Sequence, residues 1–237
     1  MSNFDDDEPL TLSSDAMSAL TQFLSEKKEQ EAAFECLREA AHQSADQMAA
    51  QARILDMSAF KEDWQLSQFW YSEETAAALA KEAIEQTDDG AWIACVSSPT
   101  AFVALKNIDV GHRKIFVLEY DQRFAVFQSE FVFFDYNNPT DLDEKAGTRP
   151  LKGRFDFIIA DPPFLSDECW SKTSETCRWL AKPEGCKYLV CTGAVMQAQI
   201  RRELDCQITD FEPKHKGGLS NEFRSFINYE STQFKQL

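Results

Sequence analysis

The four residues Asp161-Pro162-Pro163-Phe164 are the stretch of this chain best suited to chemistry. A carboxylate followed by a proline carbonyl offers two neighbouring acceptors for the hydrogens of an amine. A nitrogen held this way points its lone pair in one direction, and Phe164 can wall the pocket and face developing positive charge. The preceding run, Arg154-Phe155-Asp156-Phe157-Ile158-Ile159-Ala160, is short, apolar and free of glycine. It predicts a buried strand that the two prolines stop abruptly. Open α/β sheets bind ligands at that end of their strands. The same residues would also make an ordinary Pro-Pro turn.

A donor for such an amine would need its own subsite. A nucleoside ligand requires a close-approach turn after a first strand, then an acid about 20 positions on to grip ribose hydroxyls. Here the first strand runs into Cys95-Val96-Ser97-Ser98-Pro99, and Glu119 follows Ser97 by 22 positions, with Tyr120 and Asp121 next. The spacing suits a nucleoside, but the glycines a diphosphate wants are missing. Small serines before a helix N-terminus can still present backbone N–H groups. A sulfonium ligand with one carboxylate is less demanding, so the pattern favours S-adenosylmethionine over NAD; a plain strand-turn-helix is equally compatible.

Two further clusters join the candidates. Asp135-Tyr136 closes the aromatic run Phe131-Val132-Phe133-Phe134, where a carboxylate and a ring could hold an adenine, or the aspartate could simply cap a turn. Trp70, Tyr71 and Ser72 end the segment Trp64-Gln65-Leu66-Ser67-Gln68-Phe69, with Trp64 and Phe69 read as packing. Aromatics beside a cation contribute roughly 0.5–2 kcal/mol, and a sulfonium is a cation. His215, between Lys214 and Lys216, is a candidate substrate contact or proton carrier; a solvated loop histidine is the simpler account. The chain has three histidines, none at ligand spacing with a cysteine or carboxylate pair, so no metal site is expected.

The elements that must position these residues follow from periodicity. Residues 1–12 are acidic and aperiodic and predict a disordered tail. Residues 13–60 carry helical spacing and predict a helical arm, either a docking element or a solvated helix packed on the domain. That first quarter, residues 1–60, holds 12 acids and 4 bases, a net −8. From residue 61 strand and helix alternate: helices over 72–86 with Ser72 as N-cap, 99–107, 167–180 and 194–204; strands over 91–96, 114–120, 131–136, 155–160, 187–192, 206–212 and 222–229. This predicts an α/β, mostly parallel, doubly wound Rossmann-like sheet with an antiparallel strand pair at its edge, occupying residues 61–237.

Composition narrows the partners. The 237 residues carry 40 acids and 24 bases, a net charge of −16. A phosphate backbone is normally met by excess lysine and arginine, so nucleic acid is a poor partner and a basic protein a better one. No apolar run approaches the roughly 18 residues that span a bilayer. Seven cysteines without a C-x-x-C pair predict reduced thiols in a cytoplasmic protein.

In their order, WQLSQFWYS, IACVSSPTAF, LEYDQRF, FVFFDYNNP, FIIADPPFLS and NEFRSFINY resemble the eukaryotic elongation factor 1-alpha lysine methyltransferase family. That group was first classed as N6-adenine DNA methyltransferases because of the D-P-P-[FY] turn. The resemblance covers residues 61–230, and the glycine-free loop CVSSP belongs to its pattern. It implies a seven-strand class I methyltransferase fold, S-adenosylmethionine as donor, and a lysine ε-amine of the translation factor as acceptor; the enzyme itself is expected to be a monomer. The implied roles are acceptor residues Asp161, Pro162, Pro163 and Phe164, and cofactor residues Trp70, Tyr71, Ser72, Cys95, Val96, Ser97, Glu119, Tyr120, Asp121, Asp135 and Tyr136. His215, Asn221 and Phe223 are expected at the substrate, although the loop 214–221 and the arm 25–58 depart from the family's pattern. An adenine methyltransferase, or an idle cofactor-binding scaffold, remain the alternatives.

Overall fold

The computed structural model describes residues 57–63, 68–142, 150–218 and 221–237, with Met17, Ser18, Thr21, Gln22, Ser25, Lys28 and Ala32 of the arm. Those seven arm residues are α-helical, and Thr21 donates to the Met17 carbonyl at 2.8 Å. The predicted tail 1–12 and most of the predicted arm lie outside the described residues.

Four helices and seven strands carry the domain. Helix α1 spans Glu73–Glu85; the Ser72 hydroxyl caps it by accepting from the Thr75 N–H, and Glu73 and Glu74 sit in the first turn, where the helix dipole favours them. Strand β1 is Trp92–Val96, helix α2 Pro99–Lys106 with proline in its first turn, and β2 Lys114–Glu119. Strand β3 is Phe131–Phe133, β4 Phe157–Ala160, helix α3 Asp167–Leu180 and β5 Lys187–Gly193. Helix α4 is Gln197–Leu204, and β6 and β7 are Gln207–Ile208 and Phe223–Ile227.

The sheet runs β3-β2-β1-β4-β5-β7-β6, parallel up to β5, with β7 antiparallel to both neighbours. Its strands are buried on both faces, as a parallel sheet covered by helices requires. Alternation of period 2 divides the core. Ile93, Cys95, Val117, Ile159 and Leu189 pack toward α1 and α2, whereas Ala94, Val96, Leu118, Ile158 and Val190 pack toward α3 and α4. Chain order departs in opposite directions from β1 and β4, so a crevice opens between their carboxyl ends.

Four elements differ from expectation. The strand predicted over 131–136 stops at Phe133, because the Asp135 carboxylate accepts from the Asn137 N–H and turns the chain. The strand predicted over 206–212 keeps only Gln207–Ile208; beyond it Asp210 donates its N–H to the Lys235 carbonyl, so the C-terminal segment takes over the pairing. The helix predicted from 194 begins with a 3-10 turn, Ala194–Met196, and a 3-10 segment, Gln122–Glu130, fills a stretch the periodicity left blank.

Candidate active site

The crevice is a cavity of about 390 Å³, inside the range usual for small-molecule sites. Asp161, Pro162, Pro163 and Phe164 all line it. Asp161 is placed by the sheet itself: its N–H donates to the Val96 carbonyl at 3.0 Å, one step past the β1–β4 ladder. Neither proline can donate, so the chain leaves the sheet and re-enters regular structure at Ser166, whose hydroxyl caps α3 through the Cys169 N–H. Leu165 lies on the end of β5: a Cβ on Gly193 would stand 2.9 Å from its Cδ1, so glycine lets the leucine sit there without shifting.

At the other end, Ser97, Glu119, Tyr120, Asp135 and Tyr136 also line the cavity. Ser97 holds φ +50°, a left-handed conformation that costs a non-glycine residue on the order of 1–3 kcal/mol. Its N–H donates to Leu118 at 2.8 Å, so this serine does not offer the free backbone donor that its position suggested. One Glu119 oxygen accepts from the Tyr120 and Asp121 N–H groups at 3.0 and 3.2 Å. Tyr136 meets Phe164 edge-on at 5.9 Å, joining the two ends of the cavity.

Burial sets the electrostatics. It pushes Asp161 up to about 8; Tyr71 opposes the shift and the Glu119 charge adds to it. Burial also pushes Glu119 up to about 7. His215, Asn221 and Phe223 line the third wall. His215 is held between Tyr71 and Phe223, ring centroids 4.8 Å away on each side, and burial drops its imidazole to about 4, so it is neutral at pH 7. Paired backbone bonds, Ser72 to Lys214 and Lys216 to Trp70, fix that loop to the segment before α1.

Several expected cofactor residues do not line this cavity. Cys95 and Val96 are wholly buried inside the sheet. Ser72 is committed to capping α1. Asp121 is buried; desolvation works against its charge, but Arg123 and Gln68 outweigh it and hold the carboxyl below its usual range. It receives Arg123 Nε at 2.8 Å and Gln68 Nε2 at 2.9 Å, while Arg123 also donates to Lys61 O and Gln68 Oε1. Asp121 thus holds Gln68 and, through Arg123, the Lys61 carbonyl, and takes no part in lining the cavity. Trp70 lines the cavity, yet its indole N–H is spent on Phe60 O at 2.7 Å and its backbone N–H on Glu62.

Tyr71 is displaced most from its expected role. It is 1% exposed, and its hydroxyl lies beside the Asp161 carboxylate and the Cys191 thiol, short of good hydrogen-bond geometry with either. Burial, then the Asp161 charge, raises its phenol well above the usual tyrosine range. Residues that sequence reasoning passed over also line the cavity: Gln68, Phe69, Pro99, Phe134, Asn137 and Leu165. All lie inside the quoted motifs, and Phe69, read from the sequence as packing, proves to face the cavity. Among the described residues no His, Cys, Asp and Glu group is arranged to hold a metal.

The arrangement fits a nucleoside-bearing cation at one end and an amine at the other. An acidic side chain closing β2 and aromatics after β3 suit a ribose and an adenine, and the wall near Asp161 is apolar and aromatic. Residues 62–231 match the family model described as "Probable N6-adenine methyltransferase". The human protein "EEF1A lysine methyltransferase 1" is 42% identical over 231 residues, covering 98% of this chain and 97% of that protein. The Saccharomyces cerevisiae "Protein-lysine N-methyltransferase EFM5" is 36% identical, covering 95% and 94%. A solved branched-chain polyamine synthase variant from Thermus thermophilus, in complex with N4-aminopropylspermidine and 5'-methylthioadenosine, shares the fold. Its TM-score is 0.52 at 14% identity, covering 77% of this chain and 61% of that one.

Proposed function

This chain belongs to the family described as probable N6-adenine methyltransferase, and we propose that it methylates a lysine ε-amine of translation elongation factor 1-alpha. It is a protein-lysine N-methyltransferase with S-adenosylmethionine as donor. The named activities of relatives along nearly the whole chain support this reading. The observation that carries it is the Asp161 turn opening into the same cavity as Glu119. The net charge of −16 favours a basic protein acceptor over a nucleic acid.

Bound in this cavity, S-adenosylmethionine supplies an electrophilic methyl group. Glu119 would accept the ribose hydroxyls, and Asp135 with Tyr136 would hold the adenine. Asp161 and the Pro162 carbonyl would take the amine's hydrogens, leaving its lone pair aimed along the cavity. An unperturbed lysine is about one part in a thousand neutral near pH 7.4, a penalty of about 4 kcal/mol. An ordinary aspartic acid is on the order of a million-fold more acidic than that ammonium. Raised to about 8, Asp161 comes within a few hundredfold of it. It is therefore the proton acceptor we assign, passing the proton on to water. Neutral His215 and Phe223 would line the lysine stem and keep a second charge out.

The same reading makes the enzyme a cytoplasmic monomer that meets the factor directly. No helix among the described residues is long and apolar enough to cross a membrane. The test is transfer of labelled methyl from S-adenosylmethionine into extract of cells lacking the enzyme. Label on elongation factor 1-alpha, absent with Asp161→Ala, supports the proposal. Label in DNA or RNA would make the chain an adenine methyltransferase, and no label a cofactor-binding scaffold.

A further inference from the structure

Seven large apolar side chains are exposed among the described residues, and four of them, Tyr120, Phe164, Leu165 and Val195, stand just past the carboxyl ends of β2, β4 and β5. Tyr120, Phe164 and Leu165 line the cavity. Val195 does not, yet at 77% it shares the highest exposure of the seven. A lysine side chain and a cofactor would cover the first three, but neither reaches a residue outside the cavity. Apolar groups gathered at one mouth mark an interaction surface more than a scattered exposed leucine does.

From this geometry we infer that Phe164, Leu165 and Val195 form a docking lip. It receives an apolar side chain next to the target lysine on a folded, basic protein. The inference rests on the lysine methyltransferase reading and adds which surface of the enzyme selects the acceptor.

The lip is tied into the fold on both sides. Val195 lies in the 3-10 turn Ala194–Met196, anchored by the buried Met196 on one side. On the other, the Ala194 N–H donates to the Glu222 carbonyl at 2.8 Å, extending the β5–β7 ladder. Leu165 is seated on Gly193, and Gln199 donates to Asp167 at 2.7 Å, tying the start of α4 to the start of α3. A preformed surface avoids the ordering cost that weakens flexible ones.

Its flanks are acidic. Asp167 and Glu168, in the first turn of α3, and Glu222, before β7, are all exposed. Two bases nearby are paired with acids, Lys172 with Glu168 at 2.7 Å and Arg224 with both Glu222 and Glu212. An apolar lip between acids, on a chain of net −16, complements a lysine-bearing basic surface with one apolar side chain exposed.

The test measures methylation of purified elongation factor 1-alpha by the full chain carrying Val195→Asp or Val195→Ala, with cofactor affinity followed by calorimetry. A charge at the lip should raise KM for the protein acceptor about tenfold, and truncation about threefold. The kcat at saturating acceptor and the affinity for S-adenosylmethionine should stay within twofold of the parent. An unchanged acceptor KM in Val195→Asp overturns the lip. Should that variant lose cofactor binding, Val195→Ala decides by the same criterion. No transfer by the parent chain would instead refute the acceptor reading itself, a result distinct from parental transfer with indifferent variants.

Discussion

The hydroxyl of Tyr71 lies against the carboxylate of Asp161 from inside the protein, although the two residues come from the segment before α1 and the turn after β4. Asp161 therefore has a buried polar neighbour on one side and the cavity on the other. The neighbour holds its proton affinity down while burial drives it up. This balance makes the carboxylate adjustable, and most of the predictions below follow from it.

Asp161→Ala should lower kcat for methyl transfer at least about a hundredfold, the usual contribution of a positioned proton acceptor. Affinity for S-adenosylmethionine should stay within a few-fold, since the proposed donor contacts are Glu119 and the aromatics instead. Single-turnover transfer of labelled methyl, with calorimetry in parallel, separates the two. Equal losses in both would remove Asp161 from the acceptor role.

Tyr71→Phe should shift the acidic limb of the kcat/KM pH profile upward. The hydroxyl lowers the Asp161 pKa, so its removal leaves that carboxyl protonated to higher pH. The ring, and with it the contact to His215, is retained. Profiles that superimpose would leave Tyr71 a packing residue only.

The unliganded enzyme should be destabilised by ionising Asp161. Its folded pKa, about 8, lies above the ordinary aspartate value, so between about pH 4 and 8 the folded state holds a proton the unfolded chain has lost. Stability from this group is thus full below pH 4 and lost as pH rises through 8. Asp161→Asn should raise Tm at pH 8.5 and do so progressively less toward pH 4. A lower Tm at pH 8.5 would contradict the assignment.

Glu119→Gln should weaken S-adenosylmethionine binding roughly ten- to a hundredfold, the scale of hydrogen bonds to a charged group. Ribose hydroxyls favour the ionised carboxylate, and burial pushes Glu119 up to about 7. Affinity of the parent should therefore climb between pH 6 and 8 and then level, whereas the variant should show no such step. Calorimetric titrations across that window check both slope and plateau.

The helices and strands, the Ser72 cap, the parallel core and the turn that ends β4 were legible in the residues. Each is set by local periodicity or by what proline and serine do to nearby backbone. Hence Glu119 could be placed at the end of β2 from its spacing, and the D-P-P-F turn at the end of β4 from its residue types, before any neighbour was known. The early stop of β3 was less visible, because it depends on which way the Asp135 side chain turns.

Other assignments needed the packed molecule. Tyr71 sits in an aromatic segment that suggested cofactor contact, but folding put it beside the Asp161 carboxylate. Asp121 carried the right spacing for a ribose, but it binds Gln68, 53 residues earlier in the chain, and Arg123 instead. The raised Asp161 and lowered His215 pKa values come from desolvation, which no short window of sequence encodes. Chain-local rules choose elements and turns, while burial and long-range contact decide which side chains meet and what charge they carry.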